Sequence, residues 1–291
     1  MDIVQINGVN IYGFTSKEDL MKYISDKKGI LVAVNAEKII YATDKTREII
    51  NNNIGYADGL GAVVSLKNNG IRNAVRIPGC ELWLNIISSH YKTNTFYFIG
   101  GKEETISLTI SKLRQEFPGI TILGYRNGYF KSEQDREKVI DDVVDKKPDY
   151  VFVAMGSPKQ EFLMQDMQKK HNAVYQGLGG SFDIYCQKVK RAPKWWCEHK
   201  LEWLYRAITN PKGHGIRVMR LIPQIIRLRF MKATVFSSEI FRGGVRKLCT
   251  ESIIQANISD FFIKYRSRGD IFANILLRGI ANMSPFLFCV V

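Results

Sequence analysis

A mostly parallel β-sheet with helices on both faces is the α/β fold that the first two-thirds of this sequence predicts. Three observations predict it: short continuous apolar runs, amphipathic helical patterns between them, and turn-forming residues at the junctions. The first run is Ile30–Val34 (ILVAV), followed by a helical pattern over 36–52. A short apolar strand then leads into Asp58, and a second helical pattern covers 79–91. Thr95–Ile99 (TFYFI) is the next strand, ended at once by Gly100-Gly101 and followed by a helix over 103–116. Pro118-Gly119 turns the chain into a strand at Ile120–Leu123, and a helix spans 133–146. Lys147-Pro148-Asp149 punctuates the next junction, before the strand Tyr150–Ala154, a helix over 158–170 and the strand Ala173–Gln176. Strands that are apolar throughout, and not alternating, are those buried on both faces, which is the condition of a parallel sheet between helix layers.

The charge is segregated along the chain. The 291 residues carry a net charge of +14, with 45% hydrophobic residues, enough for a sizeable core. In residues 1–185, 23 Lys and Arg face 22 Asp and Glu; in residues 186–291 the numbers are 19 and 6. Nearly all the positive excess therefore lies in the last third, which points to a polyanionic partner. Ile216–Met231 (IRVMRLIPQIIRLRFM) interleaves arginines with aliphatic residues, the composition of a basic amphipathic helix at a membrane surface or on a partner. Three regions follow: an α/β catalytic domain over 1–190, a basic appendage over 191–231, and an unassigned basic and apolar tail over 232–291. No stretch of 18 uninterrupted apolar residues is present, and the N-terminus lacks the pattern of a signal peptide. The five cysteines form no C-x-x-C pair, so neither a zinc site nor a disulfide framework is expected. A cytoplasmic protein, peripheral on the inner face of the cell membrane, is the expectation. An exposed apolar arm is also compatible with a homo-oligomer.

Doubly wound sheets bind ligands at the carboxyl ends of their strands. Asn35, Gly100-Gly101-Lys102, the segment from Gly156 to Gln160 and the glycines at 177–180 all fall at such ends. Asp58 lies between a strand and a helix in IGYADGLGAVV, where a carboxylate can take a proton from an attacking hydroxyl. An Asp ahead of a helix equally suits an N-cap, and the segment alone leaves both roles open. Arg76, before the Pro-Gly turn of RIPGCELW, has the guanidinium fork that binds phosphate bidentately, or forms an ordinary salt bridge. In GSPKQE, Gly156, Lys159 and Gln160 stand at a helix start, where backbone N–H groups attract anions.

Taken in order, NAEKI, ADGLGAVV, RIPGCEL, GSPKQE, GLGGSFDIY, KRAPKWW and LEWLYR resemble the bacterial WecG/TagA/CpsF glycosyltransferase family over residues 1–230. The resemblance implies a Rossmann-like domain with no obligatory metal or other cofactor, and a C-terminal appendage that meets the cytoplasmic membrane. It implies transfer of a hexose derivative, of the N-acetylmannosamine type, from a UDP-sugar donor to a polyprenyl-diphosphate-linked sugar acceptor, with inversion, in surface or cell-wall polysaccharide synthesis. Asp58 falls on the family's proposed base, and Arg76, Gln160 and Asn35 on motif positions that bind substrate. Arg191, Arg206, Arg217 and Arg220 look like the appendage arginines that meet the lipid diphosphate and membrane. Where some members carry a threonine two residues before the asparagine, this chain has Ala33.

Many sugar transferases hold a divalent ion with a D-x-D pair. This sequence has none, and Asp141-Asp142 sit within a helical pattern. Arginine and helix-dipole stabilisation of the leaving diphosphate is therefore expected in place of a metal. Two other classes compete. A nucleic-acid-binding protein would explain the basic tail, but no helix-turn-helix, RRM-type or zinc pattern is present. A Rossmann-type oxidoreductase or nucleotide-binding module would need a G-x-G-x-x-G after the first strand, which is missing.

Overall fold

The chain begins with a hairpin that the apolar-run pattern does not mark, β1 (Asp2–Ile6) and β2 (Val9–Tyr12). Asn7 and Gly8 both take positive φ between them, the backbone a two-residue hairpin turn needs. The computed structural model describes residues 1–187, Pro193, Tyr205, Thr209 and the backbone of 234–237. All of these lie in the first of two compact units, Met1–Lys247 and Leu248–Val291. The basic arm and its arginines Arg191, Arg206, Arg217 and Arg220 lie outside the described residues.

Six strands form the parallel heart of the sheet: β3 (Gly29–Val34), β4 (Ile54–Ala57), β5 (Thr95–Gly100), β6 (Thr121–Arg126), β7 (Tyr150–Ala154) and β8 (Val174–Gly177). A further strand, β9 (Thr234–Ser237), pairs antiparallel with β1, so the order is β6-β5-β7-β8-β3-β4-β2-β1-β9. The mostly parallel α/β sheet expected from the sequence is thus the observed one. β9 falls in what the sequence leaves as an unassigned tail.

The helices are α1 (Lys17–Asp26), α2 (Ala36–Tyr41), α3 (Asp44–Asn51), α4 (Leu60–Asn68), α5 (Gly79–His90), α6 (Glu103–Glu116), α7 (Glu133–Lys146), α8 (Lys159–Lys170) and α9 (Ser181–Tyr185). The pattern predicted as one helix over 36–52 is two, α2 and α3. The break comes at Thr43, whose side chain accepts from Thr46 N and caps α3. The strand expected at 120–123 runs on to Arg126.

Alternate strand residues feed two cores. Ile30, Val32, Val34, Val151 and Val153 face one layer, with apolar residues of α2, α3, α4, α7 and α8. Leu31, Tyr150, Phe152 and Ala154 face the other, with those of α1, α5, α6 and α9. Trp83 of α5 anchors the second layer, edge-on to Phe152, Phe182 and Tyr185. Such aromatic pairs each add about 0.5–1.5 kcal/mol beyond the area they bury.

Candidate active site

The face on which each crossover helix lies decides where the sheet opens. After β8 the chain passes to α9 in one layer, whereas after the neighbouring β3 it passes to α2 in the other. Adjacent strand ends whose connections diverge leave a crevice at their carboxyl edge. The same divergence separates β5 from β7 and β7 from β8. The segments singled out in the sequence line this edge.

Asp58 ends β4. Its backbone N–H extends the ladder to the Val34 carbonyl at 3.0 Å, which fixes the residue at the strand end. Gly59, and not Asp58, is the N-cap of α4. The Asp58 carboxylate instead accepts the backbone N–H of Gly79 at 2.9 Å, the first residue of α5. The acid thus serves a helix N-terminus, but of a helix 21 residues further on. Arg76 closes the same corner. Its Nε donates to the Asp58 carbonyl at 2.6 Å, and Ile77 N donates to the Ala57 carbonyl at 2.9 Å. Three bonds therefore strap the segment 76–79 onto the end of β4, bringing Asp58 and Arg76 together.

Asn35 stands at the end of the neighbouring β3 and caps α2, accepting Lys38 N at 3.0 Å. Ala33, two residues earlier, is half-buried against the layer that contains α5. Its methyl lies 3.6 Å from where a Cβ on Gly79 would stand, so it packs beneath the α5 start.

Gln160 is buried and acts as a bracket between loops. Its Oε1 accepts Gly156 N at 3.2 Å and Gly179 N at 2.9 Å, and its Nε2 donates to Glu161 at 3.3 Å. The carboxamide joins the β7 and β8 loops, and the Gly156 N–H that the sequence offered to an anion is already engaged. Beside it, Glu161 pairs with Lys38 at 2.7 Å, tying α8 to α2 across the crevice. Burial pushes the Glu161 carboxyl up, but the Lys38 charge and hydrogen bond outweigh it and hold the group below its ordinary value. Lys159 is exposed at the first turn of α8. Gly100 serves strand packing: its φ is +138°, and a Cβ there would collide with the Ala154 carbonyl.

At the end of β5 a cavity of about 440 Å³ is lined by Gly101, Lys102, Glu104, Thr105, Tyr129 and Asp183. Tyr129 is 65% exposed, and Asp183 accepts the Thr105 hydroxyl at 3.1 Å. Neither Tyr129 nor Asp183 was singled out from sequence. Their signals were an aromatic after a glycine in RNGYF and an acid inside GLGGSFDIY. Gln176 was likewise missed, although it is the polar residue of an otherwise apolar strand, AVYQ. It is fully buried beneath the Asp58 corner.

Among the described residues no group of three or more His, Cys, Asp or Glu is placed to hold a metal ion. None of their helices is long and apolar enough to cross a membrane. Compared with known families, residues 4–238 match the model described as the glycosyl transferase WecG/TagA/CpsF family.

Proposed function

We propose that this chain, which belongs to the WecG/TagA/CpsF glycosyltransferase family, is an inverting enzyme that uses Asp58 as its base. It moves a hexose derivative, of the N-acetylmannosamine type, from a UDP-sugar to a polyprenyl-diphosphate-linked sugar in cell-wall or surface polysaccharide synthesis. The observation that carries this reading is the Asp58 corner: a carboxylate at a strand end, held by a helix N-terminus, with Arg76 bound to the same residue. Such a corner supplies a base and a cation at one point of the crevice.

The cavity at β5 supports a nucleotide donor. The Tyr129 ring offers a face for a base, the Asp183 carboxylate can accept from base N–H or ribose hydroxyls, and Lys102 can meet phosphate. Four interstrand steps of about 4.8 Å separate β5 from β4, roughly 19 Å along the edge. A donor laid along that edge carries its sugar from the cavity toward Asp58. The acceptor hydroxyl then attacks the anomeric carbon as Asp58 takes its proton. The bond from that carbon to the diphosphate oxygen breaks on the opposite side, its electron pair leaving with UDP. Arg76 offsets charge on the diphosphate. The basic residues of the arm, including Arg191, Arg206, Arg217 and Arg220, supply the contact with lipid diphosphate and anionic membrane.

A panel of UDP-sugars with a short-chain polyprenyl-diphosphate sugar acceptor tests this, with the product anomer read by NMR. The expected result is an inverted linkage, no turnover by Asp58→Asn, and retained thermal stabilisation of that variant by UDP but not by NAD or oligonucleotides. Retained configuration, or normal turnover by Asp58→Asn, would overturn it. For the arm, Arg217→Ala with Arg220→Ala is a cleaner test than deletion of 191–291, because the deletion also removes β9 from the sheet. The double variant should sediment less with anionic liposomes than the parent, and equal sedimentation would assign membrane contact elsewhere.

A further inference from the structure

Beneath the Asp58 corner, in a largely apolar layer, lie two buried side chains that carry polar groups, Tyr56 of β4 and Gln176 of β8. Gln176 sits in the middle of the sheet, in register with Leu31 on one side and Phe152 on the other. Its side chain is fully buried. Nε2 donates to the Gly79 carbonyl at 3.1 Å and lies 3.3 Å from the Tyr56 hydroxyl, while Oε1 has no hydrogen-bond partner among the described residues. The Gly79 carbonyl can only accept, so it fixes which end of the amide faces it. A buried polar side chain left half satisfied is disfavoured relative to an apolar residue of the same shape. Something other than core stability therefore accounts for it.

Gly79 is the link. Its carbonyl is held from below by Gln176, and its N–H is donated upward to the Asp58 carboxylate at 2.9 Å. Tyr56 sets the height of this contact. A Cβ on residue 79 would stand only 2.7 Å from the Tyr56 hydroxyl oxygen, so glycine lets the helix start settle onto the ring. Burial and the nearby Asp58 charge push the Tyr56 hydroxyl well above its ordinary value, so it stays a neutral phenol.

We infer that Gln176 and Tyr56 are positioning residues that hold Gly79, and through its N–H fix the placement and ionisation of the Asp58 carboxylate. The inference rests on Asp58 being the base of the transfer reaction. An N–H donated to a carboxylate favours its ionised form, and losing the bond makes the acid harder to ionise.

The test is Gln176→Met, which keeps the volume and removes the donor to Gly79. It should melt cooperatively and keep the UDP-sugar KM within about twofold, because the donor cavity at β5 is untouched. Its kcat should fall about tenfold, and the acid limb of its pH–rate profile should move up by about one unit, the scale of one lost hydrogen bond to a carboxylate. A loss of rate with the acid limb unmoved means a merely structural role and overturns the inference, as does an unchanged enzyme. Should Gln176→Met not fold, Gly79→Ala carries the same test. Its methyl meets the Tyr56 hydroxyl and displaces the N–H, so the limb should shift, and adding Tyr56→Phe should bring it back. A shift that Tyr56→Phe does not reverse would overturn the role of Tyr56. Asp58→Asn, run alongside, separates the two claims: full activity there removes the base assignment itself, whereas an inactive Asp58→Asn beside an unmoved limb removes only the positioning role.

Discussion

Replacing Lys38 with methionine should turn a stabilising contact into a pH-dependent defect beside the crevice. Lys38 and Glu161 meet at 2.7 Å, with side chains 17% and 3% exposed, so removing the lysine strands a carboxylate that water does not reach. Methionine keeps most of the aliphatic stem, so the loss is electrostatic and not one of packing. Breaking one partner of a buried pair costs about 3–5 kcal/mol. For a domain of this size that is a fall in melting temperature on the order of 10 °C. The sign with pH follows from the two states of Glu161. In the parent its carboxyl is held below the ordinary value, so the pair's contribution is present above the unfolded pKa of about 4.3 and lost as pH falls through the folded value. In Lys38→Met the burial is opposed only by the weaker hydrogen bonds that remain, so the folded pKa rises and the charged form is penalised as pH rises past about 4.3. The stability gap between parent and variant should therefore be small near pH 4 and reach its full size by about pH 7. Urea unfolding of both proteins at several pH values measures it, with the remaining titratable groups cancelling in the difference. A gap that stays constant from pH 4 to 7 would refute the electrostatic reasoning. So would a failure of Glu161→Gln to recover stability in the Lys38→Met background.

Two further substitutions probe the donor side. Tyr129→Ala should weaken UDP binding about tenfold, the scale of one base stacked on one ring, with a smaller effect on kcat at saturating donor. Calorimetric titration with UDP checks this, and unchanged affinity would place the nucleoside away from the β5 cavity. Gln160→Ala removes the acceptor shared by the part-buried Gly156 N–H and Gly179 N–H, at about 0.5–1.5 kcal/mol for each hydrogen bond lost. Amide exchange at Gly156 and Gly179 should quicken before exchange elsewhere in β7 and β8, and equal protection in the two proteins would show that the bracket is dispensable.

How much of this was legible in the sequence depends on the range of the interaction that decides each element. The parallel core was readable because Ile30–Val34, Thr95–Ile99 and Tyr150–Ala154 are apolar on both faces, which is a local property. The division of the 36–52 helix was also encoded locally, in the Thr43 cap, but it was masked by apolar periodicity that runs across it. Asp58 and Asn35 were readable as strand-end residues, and Arg76 as the residue ahead of a Pro-Gly turn and a helix. The partner of Asp58 was not, because Gly79, 21 residues on, reaches it through a backbone N–H whose position only the folded sheet defines. The Glu161–Lys38 pair joins residues 123 positions apart, and nothing in either local segment marks it. Tyr129 and Asp183 come together from the loop after β6 and from α9, so the cavity exists only once those segments converge on β5.

The local reading of Asp58 as the cap of the helix that follows fails, since Gly59 is the N-cap of α4, yet its carboxylate does receive the first N–H of α5. A carboxylate has two oxygens, and the one that receives Gly79 N–H fixes the orientation of the other. A helix N-terminus favours negative charge, so the same contact that anchors the side chain also favours its ionised form. That form is the one a base requires, although a carboxylate favoured as an anion is a weaker proton acceptor. If Asp58 is the base, its effectiveness must then come chiefly from placement. The geometry is consistent with that demand: Arg76 on its carbonyl, Val34 on its amide and Gly79 on its carboxylate hold the residue at three points. Gln176 and Tyr56 brace the last of these from below. Small displacements at this corner should therefore lower kcat without changing donor affinity, whereas changes around Tyr129 should do the reverse, and the two sets of variants separate base from donor site on one protein.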